Sequence, residues 1–285
     1  MGQTTGQPKQ LTYPQQLYAI RTWRYLRLAM IVLVVGLGVS IGYERWKTHP
    51  GCFQTSISAY YYTPVHGFFV GALVATGACL ICLKANTYAE DIALNLAGMF
   101  AQLVALVPTP YPGSCASVLG TTRDRNVNIA NNVFALLAVG LLGLLITGGL
   151  LARRLLAQVS LPVRPVMIGY GIAGAVWLAA LLAFELTRGF FVHYAHYAAA
   201  ILMFIFILVI VAINAIDYQA KSGAPSYRNR YAAVAYAMVL ALVVIGIAGA
   251  LGWAYWVLAI ETSLIILFAV FWTIQTEELW EDGLR

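Results

Sequence analysis

Five side chains in this sequence combine types and spacings that could do chemistry: His66, His193, His196, Glu185 and Glu261. His193 and His196 are three apart, so on a helix they share one face. With His66 as a third imidazole they would offer zinc three nitrogen ligands and leave one position open. A nearby carboxylate could then act on the bound water, as in a metal-dependent hydrolase working on a lipid-like substrate. The same groups have two quieter readings. Glu261 could bond a tyrosine or histidine while Glu185 pairs with Arg188, its i,i+3 neighbour, so that the set locks helices together. Alternatively, the set could line a polar pocket for a lipid head group or another small ligand, with Ser58 and Tyr61 adding hydroxyls. All three readings stay open here, and no residue is assigned a catalytic role. Haem ligation by His66 with His193 or His196 would need their two helices to touch.

The cysteines divide by setting. Cys52 and Cys115 fall in two long polar connections expected on the same, oxidising side, where loop cysteines commonly pair. Cys79 and Cys82 form a C-x-x-C inside an apolar run, without the electropositive, accessible setting a thiolate needs, and read as packing residues.

These candidates have to be positioned by elements suited to an apolar solvent. Of the 285 residues, 61% are hydrophobic and only 10% are charged, against about 25% charged in ordinary soluble domains. That composition excludes a water-soluble enzyme. A spanning helix needs about 20 mostly apolar residues, and eight runs meet the scale: 24–43, 67–84, 91–108, 131–152, 165–187, 190–214, 231–251 and 253–274. Backbone exposed to lipid must satisfy its own polar groups, so all eight are expected to be helices. The fold class expected is all-α, a polytopic transmembrane bundle of about eight spans. Residues 1–23 are expected as a cytoplasmic N-terminal segment, 24–275 as the eight-helix domain, and 276–285 as a solvated acidic cytoplasmic tail.

Sorting the 17 Lys and Arg by connection places twelve on one side. Arg45, Lys47, Arg123, Arg125 and Arg188 fall on the other. The basic side should be cytoplasmic, with both termini inside. The formal +6 is therefore read as a topology signal and not as a nucleic-acid footprint; clusters such as Arg153–Arg154 suit anionic lipid head groups. All four histidines, His49 included, map to the opposite side. Counted along their helices, Glu261 and His196 lie at a similar depth, roughly 10–12 Å in from the outer boundary.

Ser56-Ile57-Ser58-Ala59-Tyr60-Tyr61, Phe69-Val70-Gly71, Asn95-Leu96-Ala97-Gly98 and Tyr227-Arg228-Asn229-Arg230-Tyr231 together resemble a family of uncharacterised bacterial multi-span membrane proteins. Glu261 and Trp272 continue the likeness, which runs from about residue 30 to 275. The resemblance implies a bacterial inner-membrane protein and no assigned reaction. A second comparison is with the membrane hydrolases that include alkaline ceramidases and progestin/adiponectin-type receptors. Those carry an H-x-x-x-H and an Asp around zinc, whereas His193 and His196 are spaced H-x-x-H and Asp91 falls on the opposite side. No helix shows the mid-membrane proline break usual in secondary transporters, and no buried lysine is available for a retinal Schiff base. The expectation is a non-catalytic protein that binds a lipid or small ligand in an outer-leaflet polar pocket, or supports other subunits of a membrane complex. The metal-dependent hydrolase is the alternative.

Overall fold

The computed structural model describes residues 13–48, 50–115, 122–157, 162–223 and 225–280. Among them there are eight α-helices and no strands: α1 (Tyr13–Tyr43), α2 (His66–Cys82), α3 (Tyr88–Leu106), α4 (Thr122–Leu156), α5 (Val163–Leu186), α6 (Arg188–Ser222), α7 (Arg230–Ala250) and α8 (Trp256–Glu278). All except α2 are long and apolar enough to cross a membrane; α2 is an apolar helix of 17 residues. The Arg24 guanidinium donates to the Trp280 carbonyl and lies 4.7 Å over the Trp280 ring, so the start of α1 and the end of α8 share one end of the bundle. Seven traverses would put them at opposite ends. The short α2 therefore also links the two ends of the bundle, which holds eight helices among the described residues, seven of them long and apolar enough to cross a membrane.

Helix limits follow from local chemistry. Thr87 caps α3 by accepting from the Glu90 amide at 3.2 Å. Asn229 caps α7: its Oδ1 accepts from the Tyr231 and Ala232 amides, both at 3.0 Å, while its Nδ2 donates to the Ala215 carbonyl on α6 at 2.9 Å. Asparagine is among the best residues at this position, which explains the Arg228-Asn229-Arg230 segment by its cap. The breaks between α5 and α6 at Thr187, and between α7 and α8 around Gly252 (φ +96°), are short.

Helix α3 packs most extensively, on α2 and on α6. Its contact with α2 is a backbone crossing at Gly77 and Gly98. A Cβ on Gly98 would lie 2.5 Å from the Gly77 carbonyl oxygen, so no larger residue fits. The main core joins α1, α2, α3, α6, α7 and α8 around Met30, Leu80, Leu94, Val211, Phe271 and Trp272. The α4–α5 hairpin packs less tightly. Trp177 Nε1 and Tyr170 Oη bond the Leu137 and Leu144 carbonyls within the hairpin, both at 2.9 Å. A smaller core of Val107, Ile129, Val133, Leu137, Phe184 and Phe191 attaches it at the disulfide end.

Two expected boundaries shift. Helix α1 already begins at Tyr13, inside the segment assigned to a separate N-terminal stretch. The start of the acidic tail is docked: Glu278 accepts from the Tyr231 hydroxyl at 2.6 Å and from Arg230 at 3.0 Å. Residues 281–285 lie outside the described residues.

Candidate functional site

Between α1 and α2 the chain folds back into the bundle. Tyr60, Tyr61 and Tyr62, in a short 3-10 turn at Ser58–Tyr62, are all buried. Glu261 on α8 holds this turn by its leading N–H groups. Its Oε2 accepts from the Ile57 amide at 2.5 Å and the Ser58 amide at 3.3 Å, and its Oε1 accepts from Ser58 Oγ at 2.9 Å. A carboxylate at free amide donors makes a charge-assisted cap. The Leu258 amide donates to the Thr55 carbonyl at 3.0 Å and extends the joint. On the far side of the turn, Thr63 Oγ1 donates to Glu44 at 2.6 Å and Tyr62 Oη to the Thr109 carbonyl at 2.5 Å. Burial pushes the Tyr60 and Tyr61 phenols above the ordinary tyrosine range, so both stay neutral and act as packing groups.

Cys52 and Cys115 form a disulfide, with Cα atoms 5.8 Å apart. Beside it the fully buried Gln54 bridges the same two loops. It donates to the Pro112 carbonyl at 3.2 Å and accepts from the Ser114 amide at 2.9 Å. Gln54 was not singled out from the sequence, where a lone loop glutamine carries no signal.

The histidines are placed separately. His66 donates through Nδ1 to the Tyr61 carbonyl at 2.8 Å, with its ring edge-on to Tyr61. His196 is buried and donates through Nδ1 to the Val107 carbonyl at 2.6 Å. His193 is exposed beside Tyr194. Among the described residues no group of three His, Cys, Asp or Glu side chains is placed to hold a metal ion, so the suggested His66, His193, His196 ligand set is not assembled. Glu185 and Arg188 are both exposed and make no ion pair with each other; the Arg188 guanidinium lies 4.9 Å over the Phe184 ring. His49 lies outside the described residues.

Two cavities are available for a ligand. A central one of about 80 Å³ lies beneath the Ile57–Tyr62 turn. Leu37, Phe69, Met203, Phe204 and Phe268 line it, with Ser58 and Glu261 among its few polar residues. The second is an open groove of about 820 Å³, walled by α2 and α3 on one side and by α4 and α5 on the other. Its charged residues are Lys84, Asp91 and Arg154; Tyr88, Asn95, Gln102, Thr147 and Tyr170 are among its uncharged polar residues. Of the candidates named from sequence, Ser58 and Glu261 line the central cavity, while His66, Glu185, Arg188, His193 and His196 line neither space.

A third cluster, at the end shared by the termini, was missed. Glu90 on α3 is almost fully buried and accepts from Asn214 Nδ2 at 2.6 Å and from the Asn86 amide at 3.2 Å. Gln275 Nε2 donates to Asn214 Oδ1 at 2.6 Å, and Arg27 Nη1 donates to the Gln275 carbonyl at 3.1 Å. The Arg27 guanidinium stacks 3.4 Å over Trp23 and 5.2 Å from Trp272. Every carboxylate oxygen of Glu90 has a donor, so this network joins α1, α3, α6 and α8 as a lock and offers no free base. Its signal was dispersed: Arg27, Glu90, Asn214 and Gln275 are four isolated polar residues up to 248 positions apart.

Comparisons with protein families, with curated proteins and with solved structures find no match for this chain. Its functional reading therefore rests on geometry alone.

Proposed function

We propose that this chain is a multi-pass protein of a bacterial inner membrane, with both termini cytoplasmic, and that it binds a membrane lipid without transforming it. The observation that carries this reading is the groove between α2–α3 and α4–α5. Its volume of about 820 Å³ falls within the roughly 300–1,000 Å³ of typical ligand sites. It is mostly apolar along its length, and its charged residues belong to the ends of the walling helices that lie near the termini. The central cavity, at about 80 Å³, is smaller than the roughly 150 Å³ void that admits benzene, and Glu261 beside it is already fully engaged as a cap. The hydrolase reading lacks a ligand set, because among the described residues no three His, Cys, Asp or Glu side chains come together to hold a metal ion.

Gly143 lies on the groove wall, and a Cβ added there meets nothing within 4 Å. Gly143→Phe should fill the groove without disturbing the bundle. Lipid extracted from the purified protein and weighed by mass spectrometry should fall from stoichiometric in the parent to a trace in the variant, at unchanged thermal stability. Equal lipid content in the two proteins would overturn the reading.

A further inference from the structure

We propose that the groove selects an anionic glycerophospholipid, with its phosphate held between Lys84 and Arg154 and its ester region against Asn95 and Thr147. This rests on the lipid-binding reading above and names the lipid's class.

Lys84 and Arg154 stand on opposite walls, one just after α2 and one near the end of α4. Asp91 is the acid that lines the groove with them. Its Oδ1 accepts from the Ala85 amide at 2.7 Å, and its Oδ2 lies 3.5 Å from Lys84 Nζ. Asp91 is therefore committed to holding the α2–α3 turn, and the Lys84 ammonium, on a side chain 65% exposed, is only loosely paired. Arg154 has no carboxylate partner among the described residues. Two cations against one occupied carboxylate leave a net positive rim, and an exposed pair near 3.5 Å is easily displaced.

Moving inward, the polarity falls in steps. Asn95 lies four residues beyond Asp91 on α3, about 6 Å deeper, and Thr147 lies seven residues before Arg154 on α4, about 10 Å deeper. Neither side chain has a hydrogen-bond partner among the described residues, so both can donate to a ligand. Past them the walls are mostly apolar, with Met99, Leu136, Val139, Gly140 and Leu144, and Gln102 is a polar residue among them. The sequence of cations, then neutral donors, then apolar surface matches a phosphate, two ester carbonyls and acyl chains. A free fatty acid would leave Asn95 and Thr147 without acceptors. A choline head group would bring a third cation to the rim.

The test uses the full-length protein in detergent, exchanged with phosphatidylglycerol or phosphatidylcholine of identical chains and read by native mass spectrometry. The parent should retain phosphatidylglycerol on the order of tenfold more strongly, from two basic side chains near the head group. Lys84→Ala with Arg154→Ala should bring the two lipids to parity while leaving the melting temperature in place, and Arg154→Lys should keep most of the preference. No preference in the parent, or an undiminished one in the double variant, would overturn the assignment of head group. Displacement of phosphatidylglycerol by millimolar inorganic phosphate would overturn it too, by showing a free-phosphate site. Retention of neither lipid would refute the lipid-binding reading itself, a distinct result.

Discussion

Glu261 takes three hydrogen bonds from two consecutive residues, Ile57 and Ser58, and through them fixes the buried turn that ends in Tyr60, Tyr61 and Tyr62. An amide in its place keeps one accepting oxygen and presents an NH2 group to the remaining donors. Glu261→Gln should therefore lower stability by about 1–3 kcal/mol, the usual cost of a buried donor left unpaired. Thermal melting in detergent reads this directly, and a melting temperature unchanged from the parent would show that the cap is unimportant. Glu90→Ala strips the acceptor from Asn214 and Gln275 together, and the same measurement should show a loss at least as large. At this scale the sequence was legible in part. A carboxylate within an apolar run needs a partner, which singled out Glu261, although the partner expected was a Tyr or His and the one found includes the Ser58 hydroxyl. The identity of the partner was not legible, because the donors are backbone amides of a turn 203 residues away. The histidines misled for a related reason: their spacing does not show whether side chains from different helices meet, and among the described residues no three candidate ligands do.

Helices are where the sequence spoke most clearly, since about 20 apolar residues in a row leave the backbone no alternative in an apolar solvent. Ends were less legible. Helix α6 runs on to Ser222 and α4 starts at Thr122, because helix propensity continues past the apolar stretch into polar residues that hydropathy does not count. Packing between helices depends on single small residues, and scattered glycines do not reveal which of them touch. Gly77 and Gly98 do, carbonyl against Cα, whereas Gly71 on the same helix has open space around it. Gly98→Ala must push α2 and α3 apart, which costs about 1–3 kcal/mol or more when backbone has to move; Gly71→Ala should be neutral or slightly stabilising. Paired melting curves of the two variants check this. Equal stability would mean that the α2–α3 crossing is loose enough to absorb a methyl group.

The whole bundle is polarised, and both its charge and its covalent chemistry follow the same axis. Arg24, Arg27 and Arg230 lie at the end where α1 starts and α8 finishes, while the Cys52–Cys115 disulfide ties the loops of the opposite end. Basic connections are retained on the cytoplasmic side, and disulfides persist on the oxidising side; both rules fit the orientation proposed above. A fluorescent protein fused after residue 285 should accordingly fold and fluoresce, and alkaline phosphatase inserted within residues 116–121 should be active, which requires export. The disulfide adds a second readout on intact cells. A membrane-impermeant maleimide should label Cys52 and Cys115 only after treatment with an impermeant reductant. Cys115→Ser, by freeing a loop that spans 63 positions, should cost about 2–4 kcal/mol. Active phosphatase at residue 285, or labelling of Cys52 that needs permeabilised cells, would invert the bundle. Inversion would place Lys84 and Arg154 at the outer leaflet, and any anionic lipid held there would have to come from that side.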